Sequence, residues 1–195
     1  MSDNLEDLFG GQILLGKQEE KKIEPMLLVK IANPVHEPEL FNPIWDVIKP
    51  YVKQISDLSG GEYNEGVVAA RLINGASYLL MGYWVENQEL LRICDTPQGA
   101  NVAVSEMLKT PAQNLVGYMV LNIDEKSVHI WQALLTKEYQ STDMMEKSYQ
   151  WVEENIAQRY GIKDITFSSL LPGWERMGEK LGFKKTATLY RKQLP

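Results

Sequence analysis

The stretch LVGYMVLNIDEKSVHIWQALL, residues 115–135, decides how the chain is read. Residues 115–123 are apolar at both parities, which marks a strand covered on both faces and therefore central in a sheet. Asp124-Glu125-Lys126 supplies a polar turn, and SVHIWQALL (127–135) pairs back as the second arm of a hairpin. The clearest helix follows, over residues 143–160. Met145, Tyr149, Val152, Ile156 and Tyr160 fall on one face, and Gly161 stops the helix. Asp143, with Glu146 three residues on, has the spacing of a capping box, with Asp in place of the usual Ser or Thr. A strand at Ile165–Ser168, a short helix from Pro172 to Leu181, a stop at Gly182 and a last strand over Phe183–Lys192 complete this half.

Working upstream, MLLVKIA (26–32) reads as a strand, broken by Pro34 and Pro38. Asn42-Pro43 predicts a helix start, with Asn42 as N-cap and Pro43 in the first turn. Ile44, Val47, Ile48, Tyr51, Val52, Ile55 and Leu58 form its apolar stripe, Pro50 predicts a kink, and Gly60-Gly61 ends it. A second helix is expected from Glu65 to Ile73, stopped by Asn74-Gly75. ASYLLMGYWVE (76–86) is another two-sided strand. Residues 88–114 predict a short strand at Leu90–Ile93, a turn at Thr96-Pro97 and a helix through Val102–Leu108.

The chain has 195 residues, 44% of them hydrophobic and 24% charged, a composition for one globular domain, or one domain plus an arm. No apolar run approaches the ~20 residues that span a bilayer. MSDNLEDLFGG opens with acids rather than a basic then apolar leader, so no secretory leader and a cytoplasmic protein are expected. The single cysteine, Cys94, excludes an internal disulfide and a Cys-rich zinc site, and reads as a small buried or half-buried hydrophobe. Two distant histidines, His36 and His129, leave little for a His-based metal site, and His129 reads as an ordinary strand residue. The net charge of −6 argues against broad binding to nucleic acid or anionic membranes.

Charge is unevenly placed. Residues 1–24 carry six acids and three lysines, whereas residues 174–195 carry six Lys/Arg and two acids. The first stretch has only the short apolar clusters Leu5/Leu8/Phe9 and Ile13/Leu14/Leu15, too few to offset its ordering entropy alone. It is read as an extended arm, either a segment that docks a protein partner or a frayed terminus, with residues 25–195 as the domain. The basic C-terminal stretch fits edge-strand lysines and a solvated helix face about as well as it fits contact with nucleic acid or an acidic protein.

The order of elements over residues 115–194, ending in Glu179-Lys180-Leu181-Gly182-Phe183, resembles the C-terminal half of the GNAT (GCN5-related N-acetyltransferase) fold. That ending matches the "Y-E-K-L-G-F" close of the family's fourth helix, and the upstream elements mimic its β1-α1-α2-β2. The resemblance implies an α/β (α+β) fold, with a central mixed, mostly antiparallel sheet and helices on both faces. Pro172-Gly173-Trp174-Glu175-Arg176 is similar to divergent GNAT-like proteins of tailed phages, which implies a virion or assembly role.

In that family the acetyl-CoA pyrophosphate sits on a glycine-containing loop at the N-terminus of the third helix, where bare backbone N–H groups face the anion. The matching positions here are Gln140, Ser141 and Thr142, the cofactor-binding candidates if CoA binds at all. Both glycine positions fail, being Asp143 and Met145, and residues 136–160 contain no glycine. Asp143 is expected to cap the helix and repel the phosphates. The family's helix-four tyrosine, which protonates the departing thiolate, is replaced by Gly178. Tyr139, Tyr160 and Tyr190 read as packing or edge residues and Glu138 as solvated. The expectation is therefore a non-catalytic GNAT-like interaction or assembly component with no cofactor, contacting protein through the arm and the surface around 88–114. The alternative is an N-acetyltransferase using acetyl-CoA through an atypical loop. Neither reading sets an oligomeric state, and a homo-oligomer or larger assembly is compatible with both.

Overall fold

A computed structural model describes residues 22–32, 34–61, 63–168 and 174–186. The elements run β1 (Met26–Ala32), α1 (Pro38–Leu58), α2 (Glu65–Ile73), β2 (Tyr78–Val85), α3 (Gln88–Ile93), α4 (Pro97–Met107), β3 (Leu115–Ile123) and β4 (Ser127–Leu135). Then come α5 (Met144–Val152), continued by a π-helical segment over Glu153–Gln158, β5 (Asp164–Phe167) and α6 (Trp174–Lys180). The strands form one sheet in the order β1-β2-β3-β4-β5. Neighbours are antiparallel except β4 and β5, which are parallel.

The two-sided strands sit where their pattern places them. In β3 every residue from Leu115 to Leu121 is buried, because helices cover both faces. One face packs Leu79, Met81, Tyr83, Tyr118 and Val120 against Ile44, Ile48, Val52, Val68 and Leu72 of α1 and α2, with Leu91, Ala103 and Met107 of α3 and α4. The other packs Met119, Leu121, Val128 and Ile130 against Met145, Tyr149, Val152 and Ile156 of α5, with Trp174 and Phe183 at its margin.

Four expectations change. Helix α1 begins at Pro38, not Asn42, because Pro38 itself fits the first turn and Phe41 extends the buried stripe upstream, stacked on Trp45 at 5.8 Å. Leu90–Ile93 is helix rather than strand: the Asn87 side chain accepts hydrogen bonds from the Glu89 and Leu90 amides at 2.8 and 3.2 Å and starts α3. Helix α4 starts at Pro97, five residues before Val102, capped by Thr96 Oγ1 accepting from Gly99 N at 3.0 Å. A side chain at Gly99 would overlap the Ile93 carbonyl, so glycine lets α3 and α4 meet. Finally, Tyr160 is 71% exposed. The π-helical turns bring both Ile156 and Ala157 onto the sheet and rotate the next position outward.

Phe183–Thr186 form no strand, and residues 187–192 of the expected last strand lie outside the described residues, as do Pro172, Gly173, Tyr190 and residues 1–21 of the expected arm. The described chain already meets the domain at Ile23, whose N–H donates to Gln88 Oε1 at 2.8 Å and whose carbonyl accepts from Gln88 Nε2 at 2.9 Å. No described helix is long and apolar enough to cross a membrane.

Candidate functional site

A bulge and a short strand create the cleft. Between Val120 and Leu121 of β3 the register of β4 shifts, so that Val120 opposes Gln132, Leu121 opposes Ile130, and Trp131 is the extra residue. On its other side β4 pairs with β5 only from Ser127 to Ile130, ending at Phe167. Beyond that point, among the described residues, β4 continues against β3 alone. The opening is a cleft of about 50 Å³ lined by Ile55, Leu58, Ser59 and Tyr63 from α1 and the segment after it, by Ile130 to Ala133 of β4, and by Tyr149, Phe167, Ser168 and Trp174.

Its polar groups are held by named partners. Buried Gln132 accepts from the Tyr118 hydroxyl at 3.2 Å and donates to the Tyr63 carbonyl at 3.4 Å, tying the α1–α2 connection to β4. The Tyr63 ring meets Trp131 edge-on at 5.4 Å, and the Arg71 guanidinium lies 5.0 Å from the Trp131 centroid. Arg71 is aimed by Ser77 Oγ at 3.1 Å and Asn122 Oδ1 at 3.2 Å. Tyr149, Phe167, Trp174 and Phe183 form one aromatic cluster, with centroids 4.9–6.5 Å apart. Burial pushes the phenols of Tyr118 and Tyr149 far above their ordinary range, so both stay protonated.

The sequence-predicted residues gather in the turn between β4 and α5. Gln140 donates from Nε2 to the Leu135 carbonyl at 3.1 Å, and Ser141 is exposed. Thr142 Oγ1 donates to the Tyr139 carbonyl at 2.7 Å and accepts from Met144 N at 3.3 Å. Asp143 does not cap α5 with its side chain, contrary to expectation. With its backbone at φ −81° and ψ 8° the carboxylate is carried toward Lys147, 3.1 Å away, and Thr142 serves the helix end instead. Glu138 is exposed; Tyr139 is half-buried against the α5 face of the core. His129 is bound to Thr166 across the β4–β5 pair at 2.8 Å, and Cys94 caps the C-terminus of α3 with its thiol pushed up by burial. No group of three or more His, Cys, Asp or Glu among the described residues could hold a metal ion.

No protein-family profile matches this sequence, and no curated protein matches it. Solved structures do. A proposed acetyl transferase from Pyrococcus furiosus superposes with a TM-score of 0.54 at 14% identity, over 88% of this chain and 100% of the other. A tetramutant protein of Bacillus halodurans gives 0.54 at 10%, over 86% and 99%. The chain has the GNAT fold. An integron cassette protein of Vibrio cholerae gives 0.50 at 9%, over 86% and 92%, and at such identities the likeness concerns the fold alone.

The position that the sequence resemblance matches to the family's helix-four tyrosine is Gly178, buried in α6. A Cβ there would stand 3.1 Å from Phe167 Cζ and 3.7 Å from Phe183 Cβ. A side chain at Gly178 would therefore be tight against the Phe167 ring, which would have to give by a few tenths of an ångström. The residues present do not repeat the family's cofactor loop: the turn before α5 has no glycine, Gln140 and Thr142 donate to the Leu135 and Tyr139 carbonyls, and no hydroxyl stands at the position matched to the family's acid. Sequence reading missed the Trp131 bulge, the Phe167–Gly178 contact and the buried Tyr149 hydroxyl, which has no hydrogen-bond partner among the described residues. The Trp131-Gln132 pair, which breaks alternation in β4, was the one available signal for the bulge.

Proposed function

We propose that this GNAT-fold protein is an interaction or assembly component without acetyltransferase activity. The observation that carries the reading is Gly178, which puts no hydroxyl at the position matched to the family's thiolate-protonating tyrosine and lies close enough to Phe167 that a side chain there would be tight. The partner is a protein, contacted through the acidic segment 1–24 and the 88–114 surface, where Ile93 and Val102 are exposed apolar residues on α3 and α4. A phage virion or assembly role is the narrowest form of this reading and rests on the 172–176 sequence pattern alone. Titration calorimetry with acetyl-CoA is the test: no heat of binding is expected, and saturable micromolar binding would overturn the reading.

A second reading has one observation in its favour. Because Asp143 pairs with Lys147 rather than capping α5, its charge is partly balanced and the helix end is less hostile to a phosphate than the sequence implies. An N-acetyltransferase working through an atypical loop at Gln140, Ser141 and Thr142 would then bind acetyl-CoA and release thiol on adding an amine. Binding without thiol release would instead mark a CoA-binding protein that has lost its chemistry.

A further inference from the structure

We propose that Asn74-Gly75 is a self-modification site: the folded chain deamidates there through a succinimide, and the turn between α2 and β2 promotes the step. The inference does not depend on whether the chain transfers acetyl groups or binds a partner.

Asn74-Gly75 is the single Asn-Gly pair of the sequence, which has no Asp-Gly. Every other asparagine precedes proline, which has no N–H, or a residue whose side chain crowds the following nitrogen. Asn74 and Gly75 are both exposed, Gly75 lies at φ 73°, and a Cβ built on it would meet nothing within 4 Å. Base and water therefore reach this peptide.

The turn also arranges the reacting groups. Asn74 ends α2, and its Oδ1 accepts from Ala76 N at 3.0 Å, which folds the side-chain amide back toward its own following peptide. That bond polarises the amide carbon under attack and supplies a donor for the oxyanion that forms on it. Arg71 adds positive charge beside the turn. Its Nη2 donates to the Ala76 carbonyl at 3.4 Å and to Asn122 Oδ1 at 3.2 Å, and its Nε to Ser77 Oγ at 3.1 Å. A guanidinium held there favours both the deprotonated Gly75 nitrogen and the oxyanion. One bond opposes the step: Gly75 N–H donates to the Leu72 carbonyl at 3.2 Å, and this contact at the end of α2 must open first.

The chemistry needs only water. Hydroxide takes the Gly75 N–H proton, and the nitrogen bonds to Asn74 Cγ. The bond from Cγ to the side-chain nitrogen then breaks, and ammonia leaves with a proton from water. Water opens the succinimide at either carbonyl, leaving aspartate or isoaspartate. Both products place a carboxylate three residues after Arg71, on the same side of the helix end.

The experiment is peptide mapping of the folded full chain after prolonged incubation at neutral pH, with products matched to synthetic Asp and isoAsp peptides. Both forms should accumulate at residue 74 at least tenfold faster than at any other asparagine. Gly75→Ala, which crowds the nucleophile, should slow them at least tenfold, and Arg71→Gln at least threefold. Alanine is strained at φ 73°, so the wild-type map and Arg71→Gln decide the matter if Gly75→Ala does not fold. Faster conversion at another asparagine, aspartate without isoaspartate, or a wild-type rate in either folded variant would each overturn the proposal.

Discussion

At the N-terminus of α5 the Asp143 carboxylate lies 3.1 Å from Lys147 and leaves the helix end to Thr142, whereas in α6 the Cβ position of Gly178 lies 3.1 Å from the Phe167 ring. Both sites depart from the GNAT pattern in sequence, yet they differ in kind. The first departure is local: a charged side chain satisfied by a neighbour one turn on, on the surface. The second is built into the core, since the aromatic cluster of Tyr149, Phe167, Trp174 and Phe183 closes around the missing side chain. A surface substitution can be reversed alone, but Gly178 cannot be reversed without moving Phe167.

The largest effect should therefore come from restoring the tyrosine. Gly178→Tyr overpacks the cluster and should cost about 3 kcal/mol in chemical denaturation, the upper range for such insertions. Combining it with Phe167→Ala should return part of that loss, because the two side chains compete for one volume, and a coupling of ~1 kcal/mol or more is expected. Strict additivity would break the comparison.

The helix end sharpens it next. Thr142→Ala removes the oxygen that accepts from Met144 N and should cost about 1 kcal/mol. Asp143→Ala removes only an exposed ion pair with Lys147 and should cost less than ~0.5 kcal/mol. The reverse ranking would reinstate Asp143 as the cap.

The smallest effect is a pH dependence at the β4–β5 pair. Burial holds the His129 pKa below its ordinary value of 6.5. The unfolded chain then binds the proton more readily than the folded one, so stability is full above 6.5 and is lost as pH falls from there through the folded pKa. His129→Gln should flatten that slope in thermal melts between pH 7 and 5, about the window of an ordinary histidine.

Much of the fold was legible because its elements carry strong local signals. Strands β3 and β4 and helix α2 run over the residues their apolar patterns predict, and Asn74-Gly75 ends α2 with Gly75 at φ 73°. Where two signals compete, the sequence is ambiguous. Pro38 and Pro43 both suit a first helical turn, and only the burial of Phe41 decides between them. The six residues of α3 are too few for periodicity to separate helix from strand, although Asn87 is the cap that decides it. In the candidate site, Gln140, Ser141 and Thr142 do form the turn before α5, but their hydrogen bonds are set by backbone geometry that residue types do not encode. Tyr149 reads in sequence as one more residue of an apolar stripe. Its burial depends on Phe167 of β5 and Trp174 of α6, which are distant in the chain.

The central claim is that a protein with Gly178 packed under Phe167 has no acid for acetyl transfer. The direct test is free-thiol release from acetyl-CoA in the presence of primary-amine acceptors, followed with a thiol reagent. Release no faster than in buffer alone is predicted. Saturable release that scales with protein concentration would contradict the account.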